Sequence, residues 1–334
     1  MSRHLPLLLL ALVLAMVAAV VLRRPHSNAA PATASADAVG PAADGPEPRP
    51  IDVLRSEPTA GGSRYTVSNR VAGPIEVACS LSGASNIVSE PPLPRQMTLA
   101  ARAERTVTRL RSLDPARPAR AEVLCRAVQG DPTADPADNV HYRLPFYAGT
   151  AWTLQQGFNG SFSHQTDQSR YALDFGVPVG TPVLAARGGT VMEVEEEFRG
   201  HGLDLERYGD RANYVRILQD DGSMAVYAHL APESVIVLPG DRVHAGDFLG
   251  KSGDTGYTTG PHLHFVVQKN AGMRLLSIPF NMDGVDPDGS RRQVASGIGA
   301  ARARAEGKRL IPGGIGIRVK IRVCSAALCL LGSL

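Results

Sequence analysis

The sequence predicts an all-β protein of two domains, and three observations carry that prediction. Gly and Pro supply 59 of the 334 residues, which suits many strands and turns better than long helices. Short stretches of alternating apolar and polar residues recur between residues 51 and 283, each closed by a turn signal. No stretch sustains a 3.6-residue apolar period, and neither Gly-x-Gly-x-x-Gly nor a Walker phosphate loop occurs, so α/β nucleotide-binding folds are disfavoured.

Leu5–Leu22 is an apolar run of 18 residues, broken by Pro6 and flanked by Arg3-His4 and Arg23-Arg24. That length can just cross a bilayer. Residues 1–24 are therefore expected to be either a cleaved signal peptide, with cleavage sites at Ala32-Thr33-Ala34 or Ala34-Ser35-Ala36, or an uncleaved membrane anchor. Both readings imply export to the periplasm or cell envelope. Residues 25–50 are rich in Ala, Pro and Gly, cannot bury a core, and read as a linker.

Residues 51–148 carry strand patterns at Tyr65-Thr66-Val67, Ile75–Cys79, Arg105–Leu110 and Ala121–Cys125, and the spacing predicts a β-sandwich-like domain. It holds no catalytic constellation; it positions the second domain, binds a partner or acts as a spacer. An exported chain permits disulfides. Cys79 and Cys125 fall in two of these strands, and a bridge between them is favoured over two separate buried thiols.

Residues 150–285 are also strand-rich, at Pro182–Leu184, Gly189–Val194, Asn213–Ile217, Met224–His229 and His262–Val267, with Gly or Pro in the gaps. Residues 290–334 form a basic tail expected to be disordered, with nine Lys/Arg against one acid. The rest of the chain is mildly acidic. A nucleic-acid binder would carry its positive charge on the folded part, and aromatics are only 5% with a single Trp, so nucleic-acid binding is not expected.

Chemistry concentrates in four histidines and one aspartate. In His262-Leu263-His264, strand alternation puts both imidazoles on one face and sends Leu263 and Phe265 to the core. His229 ends the strand Met224–His229, where alternation places it with Ala225 and Tyr227, opposite Val226 and Ala228. Asp174 stands between the apolar Leu173 and Phe175. A buried carboxylate needs a partner, which a cation or the nearby Arg170 could supply. His164 offers a further imidazole.

At these residues the chain resembles a known family. Gly180-Thr181-Pro182-Val183, Gly188-Gly189-Thr190-Val191, Tyr227-Ala228-His229-Leu230, Gly246–Gly250, Gly253–Gly256 and Gly260-Pro261-His262-Leu263-His264-Phe265 stand in the order found in lysostaphin-like M23 (LytM-type) zinc metalloendopeptidases. The resemblance covers about Trp152 to Phe280. It implies a two-sheet β-fold with a long groove of the LytM or duplicated-hybrid-motif type, and one catalytic Zn2+ per domain. Carried over residue by residue, the metal ligands are His164, Asp174 and His264, and the catalytic imidazoles are His229 and His262. One departure stands out: where many members have a His four residues before the Asp, this chain has Arg170, and His164 lies ten residues before Asp174. Asp167 and His201 are the fallback ligands, His201 lying in the charged stretch Glu195–Asp210 that reads as a loop at the groove edge.

Two neutral imidazoles and one carboxylate leave a zinc ion one open position, as catalytic sites require. The resemblance thus implies an endopeptidase that hydrolyses amide bonds in the peptides of peptidoglycan by metal-activated water. Which of His229 and His262 is the base stays open. A LytM-type regulator that binds the wall or activates another hydrolase is the alternative. Zinc content and new amine ends discriminate the two.

Overall fold

Alternating sequences in the first third of the chain form seven strands. They are β1 (Leu54–Thr59), β2 (Gly62–Ser68), β3 (Ile75–Ser85), β4 (Ile87–Glu90), β5 (Arg95–Leu99), β6 (Glu104–Ser112) and β7 (Arg120–Gln129). The structure is a computed structural model that describes residues 54–138 and 140–286. The apolar run 5–22, the linker 25–50 and the tail 290–334 lie outside the described residues. Among the described residues no helix is long and apolar enough to cross a membrane.

The seven strands pair as two antiparallel sheets, β1-β2-β6-β4 and β5-β3-β7. Val67 and Val107 from the first meet Ile75, Val77, Cys79, Met97 and Leu99 from the second in one buried cluster. Cys79 and Cys125 face each other in the β3–β7 register and are joined by a disulfide, with their Cα atoms 4.1 Å apart.

The remaining strands are β8 (His141–Tyr142), β9 (Thr153–Gln156), β10 (Ala172–Gly176), β11 (Pro182–Leu184), β12 (Gly189–Glu195), β13 (His201–Gly202), β14 (Tyr214–Leu218) and β15 (Met224–Ala228). They continue with β16 (Arg242–Val243), β17 (Phe248–Lys251), β18 (Gly256–Tyr257), β19 (Leu263–Asn270), β20 (Leu275–Ser277) and β21 (Asn281–Met282). One helical turn, α1 (Leu205–Tyr208), is capped by the Asp204 carboxylate, which accepts from Arg207 N. The all-β expectation holds.

The main sheet is antiparallel in the order β16-β12-β14-β15-β19-β10-β9, with β20 added to β19. One face is apolar. Leu173, Phe175, Tyr227, Leu263 and Phe265 pack there against Val183 and Leu249 of the β11–β17 ribbon. The other face carries the small apolar residues Ala172, Val226, Ala228 and Val266, of which the last three line a groove.

The two strand-rich regions meet through side chains that sequence patterning places in the second region alone. Met192 and Met224, both fully buried, join the cluster of Val67 and Val77. Ala72 N donates to Met192 O at 3.0 Å, and Asn270 Nδ2 donates to Gly130 O at 3.1 Å. Gly130 has φ +91°, and a Cβ there would come within 2.8 Å of Met224 Cε, so a side chain would be both strained and crowded. Residues 54–286 therefore share apolar packing across the boundary near residue 150.

Candidate active site

Strand register assembles most of the site. Gln156 on β9 pairs with Asp174 on β10, Asp174 pairs with His264 on β19, and His264 pairs with Ala228 on β15. Paired positions in neighbouring strands share a face. One rung of the sheet thus delivers an amide, a carboxylate and an imidazole to the groove floor. His262 stands two residues before His264 and also lines the groove.

His229 reaches the groove by a different route. Its face was expected to be that of Ala225 and Tyr227, which the structure buries in the core instead. His229 lines the groove with Val226 and Ala228. The cause is its backbone: φ is +62°, left-handed, so the alternation that holds through β15 breaks at its last step.

His164, Asp174 and His264 offer donor atoms that all lie within 4.8 Å of one another. His164 is fully buried. Its Nδ1 lies 2.8 Å from Gly157 O, which can only accept, so Nδ1 carries the proton and donates. In the neutral ring Nε2 then presents a lone pair, and it stands 3.2 Å from Asp174 Oδ2, buried and without a hydrogen bond. Two lone pairs facing each other in a buried site are costly unless a positive charge comes between them. His264 Nδ1 is 2.8 Å from Asp174 Oδ1. The donor set of two imidazoles and one carboxylate, with an orphaned nitrogen among them, fits a zinc ion.

The electrostatics couple the same three groups. Burial opposes ionisation of Asp174, but the His164 and His264 imidazoles outweigh it and hold the carboxyl well below the usual carboxylate range. Burial works against a His164 cation, yet Asp174 prevails and raises its pKa. Burial lowers His264, aided by His164 and His262. His229 is pushed down to about 3 by burial first and then by the charges of His262 and His264.

His229 and His262 lie side by side, ring centroids 4.4 Å apart. His229 Nδ1 donates to Thr255 O at 2.6 Å and His262 Nδ1 donates to Gly260 O at 2.8 Å. Each ring therefore keeps its Nε2 for chemistry. His262 Nε2 stands 3.8 Å from Asp174 Oδ1. A groove of about 720 Å3 runs past Asp174, His229, His262 and His264, with Phe162 and Tyr257 on its lining stacked at 5.8 Å.

The fallback ligands stay away. Asp167 pairs with Arg274 at 2.5 Å and with Arg170 at 3.7 Å, so Arg170 is not the partner of Asp174. His201 is half exposed and pairs with Asp254 at 2.6 Å. Sequence reasoning missed Gln156. Its Nε2 donates to Asp174 Oδ2 at 2.7 Å and to Ser163 Oγ at 2.9 Å, and its Oε1 accepts from Phe162 N and Ser163 N. The period-two pattern of β9 could have placed it on the groove face, but nothing local marks it as a partner of Asp174.

Residues 168–275 match the family model of Peptidase family M23. The M23 match encloses Asp174, His229, His262 and His264, and His164 lies four residues before it. Among similar proteins, an uncharacterized metalloprotease of Buchnera aphidicola is 34% identical over 95 residues, 28% of this chain and 22% of the relative. The glycyl-glycine endopeptidase ALE-1 of Staphylococcus capitis is 38% identical over 104 residues, 31% of this chain and 25% of the relative. The peptidoglycan DD-endopeptidase ShyA of Vibrio cholerae is 30% identical over 138 residues, 40% of this chain and 29% of the relative. The chain thus spans about a quarter of the length of the curated relatives it matches.

Proposed function

We propose that this protein is a zinc-dependent endopeptidase that hydrolyses amide bonds in the peptide part of peptidoglycan. The observation that carries the reading is the buried His164 Nε2, aimed at Asp174 beside His264 with no hydrogen-bond partner, behind a groove that Asp174 and His264 line. His164, Asp174 and His264 would hold the zinc. When bound, the ion supplies a Lewis acid that activates water and polarises a substrate carbonyl.

The remaining steps belong to side chains of this chain. Burial keeps His229 neutral at pH 7, and its Thr255 bond leaves Nε2 as the acceptor for a proton of the attacking water. Attack forms the C–O bond of the new carboxyl group and breaks the C–N bond. The leaving nitrogen takes its proton from His262, whose Nε2 stands beside the Asp174 carboxylate. The floor of Val226, Ala228 and Val266 is apolar, suited to a peptide with small side chains.

Substrate and compartment follow from the relatives and from chemistry. Two of the relatives are named for cleaving glycyl-glycine or peptidoglycan DD bonds. The Cys79–Cys125 disulfide suits an oxidising compartment outside the cytoplasm, where the wall lies. The apolar run 5–22 supplies an export signal or tether.

The test uses purified protein and isolated sacculi, with and without a chelator, and mass analysis of released fragments. New amine ends that vanish with chelator and return with zinc are expected. Intact sacculi alongside stoichiometric zinc would overturn catalysis and favour the regulatory alternative.

A further inference from the structure

We infer that His201 and Asp254 are a positioning pair that fixes the ring of His229 through the Thr255 carbonyl; the inference rests on reading His229 as the proton acceptor. The charged stretch Glu195–Asp210 lies against the loop that follows Ser252. His201 pairs in parallel with Gly256 and Gly202 with Tyr257, and Gly256 N donates to Gly200 O at 3.0 Å. A second strap joins the same stretch to the turn after His229: Glu233 N donates to Glu196 O at 3.0 Å, and Arg199 pairs with Glu233 at 2.7 Å.

Asp254 sits where these two segments meet. Its side chain is 16% exposed, and Oδ2 lies 2.6 Å from His201 Nδ1. Its Oδ1 is buried without a hydrogen bond. Burying a carboxylate oxygen is costly, so a neutral polar residue would serve a merely structural turn better. The carboxyl group stands where the His201 imidazole, 2.6 Å away, holds it in place.

One residue further on, Thr255 O accepts the His229 Nδ1 proton at 2.6 Å. Thr255 Oγ1 donates to Leu230 O at 3.0 Å and accepts from Asn213 N at 3.1 Å. Asn213 Nδ2 in turn donates to Phe198 O at 3.0 Å. The stretch 195–210, the Thr255 peptide and the residue after His229 are thereby one hydrogen-bonded unit. His229 itself holds a left-handed backbone that only its surroundings can maintain. The Thr255 carbonyl sets which way its Nε2 points, and the His201–Asp254 pair sets the Thr255 carbonyl.

The experiment uses the zinc-loaded full chain with His201→Ala and His201→Asn, the Asn amide replacing the Nδ1 donor. Nitrogen-resolved proton NMR reads solvent exchange of the His229 Nδ1 proton, and kinetics read kcat and KM. His201→Ala is expected to speed ring-proton exchange and to lower kcat by up to about 100-fold through misplacement of His229, with KM and zinc stoichiometry unchanged. His201→Asn should restore both. Exchange and kcat in His201→Ala within about twofold of wild type would overturn the inference. So would a fall in kcat with ring exchange untouched, since the pair would then act elsewhere. A wild-type protein without hydrolytic activity counts against the proposed function alone, because ring exchange still decides whether this pair holds His229.

Discussion

Gln156 offers the sharpest perturbation, because one amide holds two parts of the candidate metal centre. Its Nε2 bonds Asp174 Oδ2 at 2.7 Å and Ser163 Oγ at 2.9 Å, and its Oε1 accepts from Phe162 N at 3.1 Å, in the turn just before His164. Gln156→Leu keeps the volume and removes every one of these bonds. Phe162 and Ser163 are accessible enough for water to replace their lost acceptor. Asp174 is buried, so its lost donor is not replaced. A hydrogen bond to a charged group contributes about 1.5–3 kcal/mol, which is about 10–150-fold in an equilibrium constant. Mutation of outer-shell partners of metal ligands typically costs about 10–100-fold in metal affinity or activity, so the two estimates agree. Competition against a chromophoric chelator gives the zinc dissociation constant of wild type and Gln156→Leu at one pH and salt, with the melting temperature of the chelated proteins as a folding control. A variant that melts like wild type and binds zinc within about twofold would refute the reasoning, since Asp174 would then be held by something other than this amide.

Other outcomes follow from the same geometry. His164→Ala and His264→Ala should lose zinc and activity together, whereas His229→Ala and His262→Ala should keep zinc and lose about 10²–10⁴-fold in turnover; metal analysis and sacculus digestion of the four variants check both halves. The disulfide closes a loop with a sequence separation of 46, so replacing Cys79 and Cys125 by Ser should lower unfolding free energy by about 4 kcal/mol on loop entropy, read from urea midpoints. Burial opposes ionisation of Asp221, but hydrogen bonds from Ser223 and Arg187 prevail and keep its carboxyl below the ordinary range. Its folded pKa is below its unfolded value, so its stabilisation is present above about pH 3.9 and fades as pH falls through the folded value. Asp221→Asn should flatten that acid limb of melting temperature against pH, and an unchanged limb would rule the linkage out.

Much of the site was legible because strand alternation is a backbone property. It put Asp174 between two core residues, sent Leu263 and Phe265 inward, and set His262 and His264 together on the open face. The same rule failed at His229, where a left-handed residue ends β15 and turns the side chain to the opposite face. Gln156 escaped notice because a neutral amide in a four-residue strand carries no charge or motif. Its role exists only once β9 is registered against β10. Arg170 looked like a partner for Asp174 by closeness in sequence, yet the fold brings Arg274 from more than a hundred residues away and leaves both arginines on Asp167. Met192 and Met224 read as ordinary strand residues of the second region. Their packing with Val67 and Val77 is decided by docking of whole sheets, which no local period encodes.

Zinc K-edge X-ray absorption on the purified protein, alongside the His164→Ala variant, tests the proposed centre most directly. One zinc per chain is expected, bound by two imidazole nitrogens and carboxylate oxygen at about 2.0–2.2 Å with one non-protein oxygen, and lost in the variant. A zinc with four protein donors, or one that stays on the chain unchanged when His164 is gone, would contradict it.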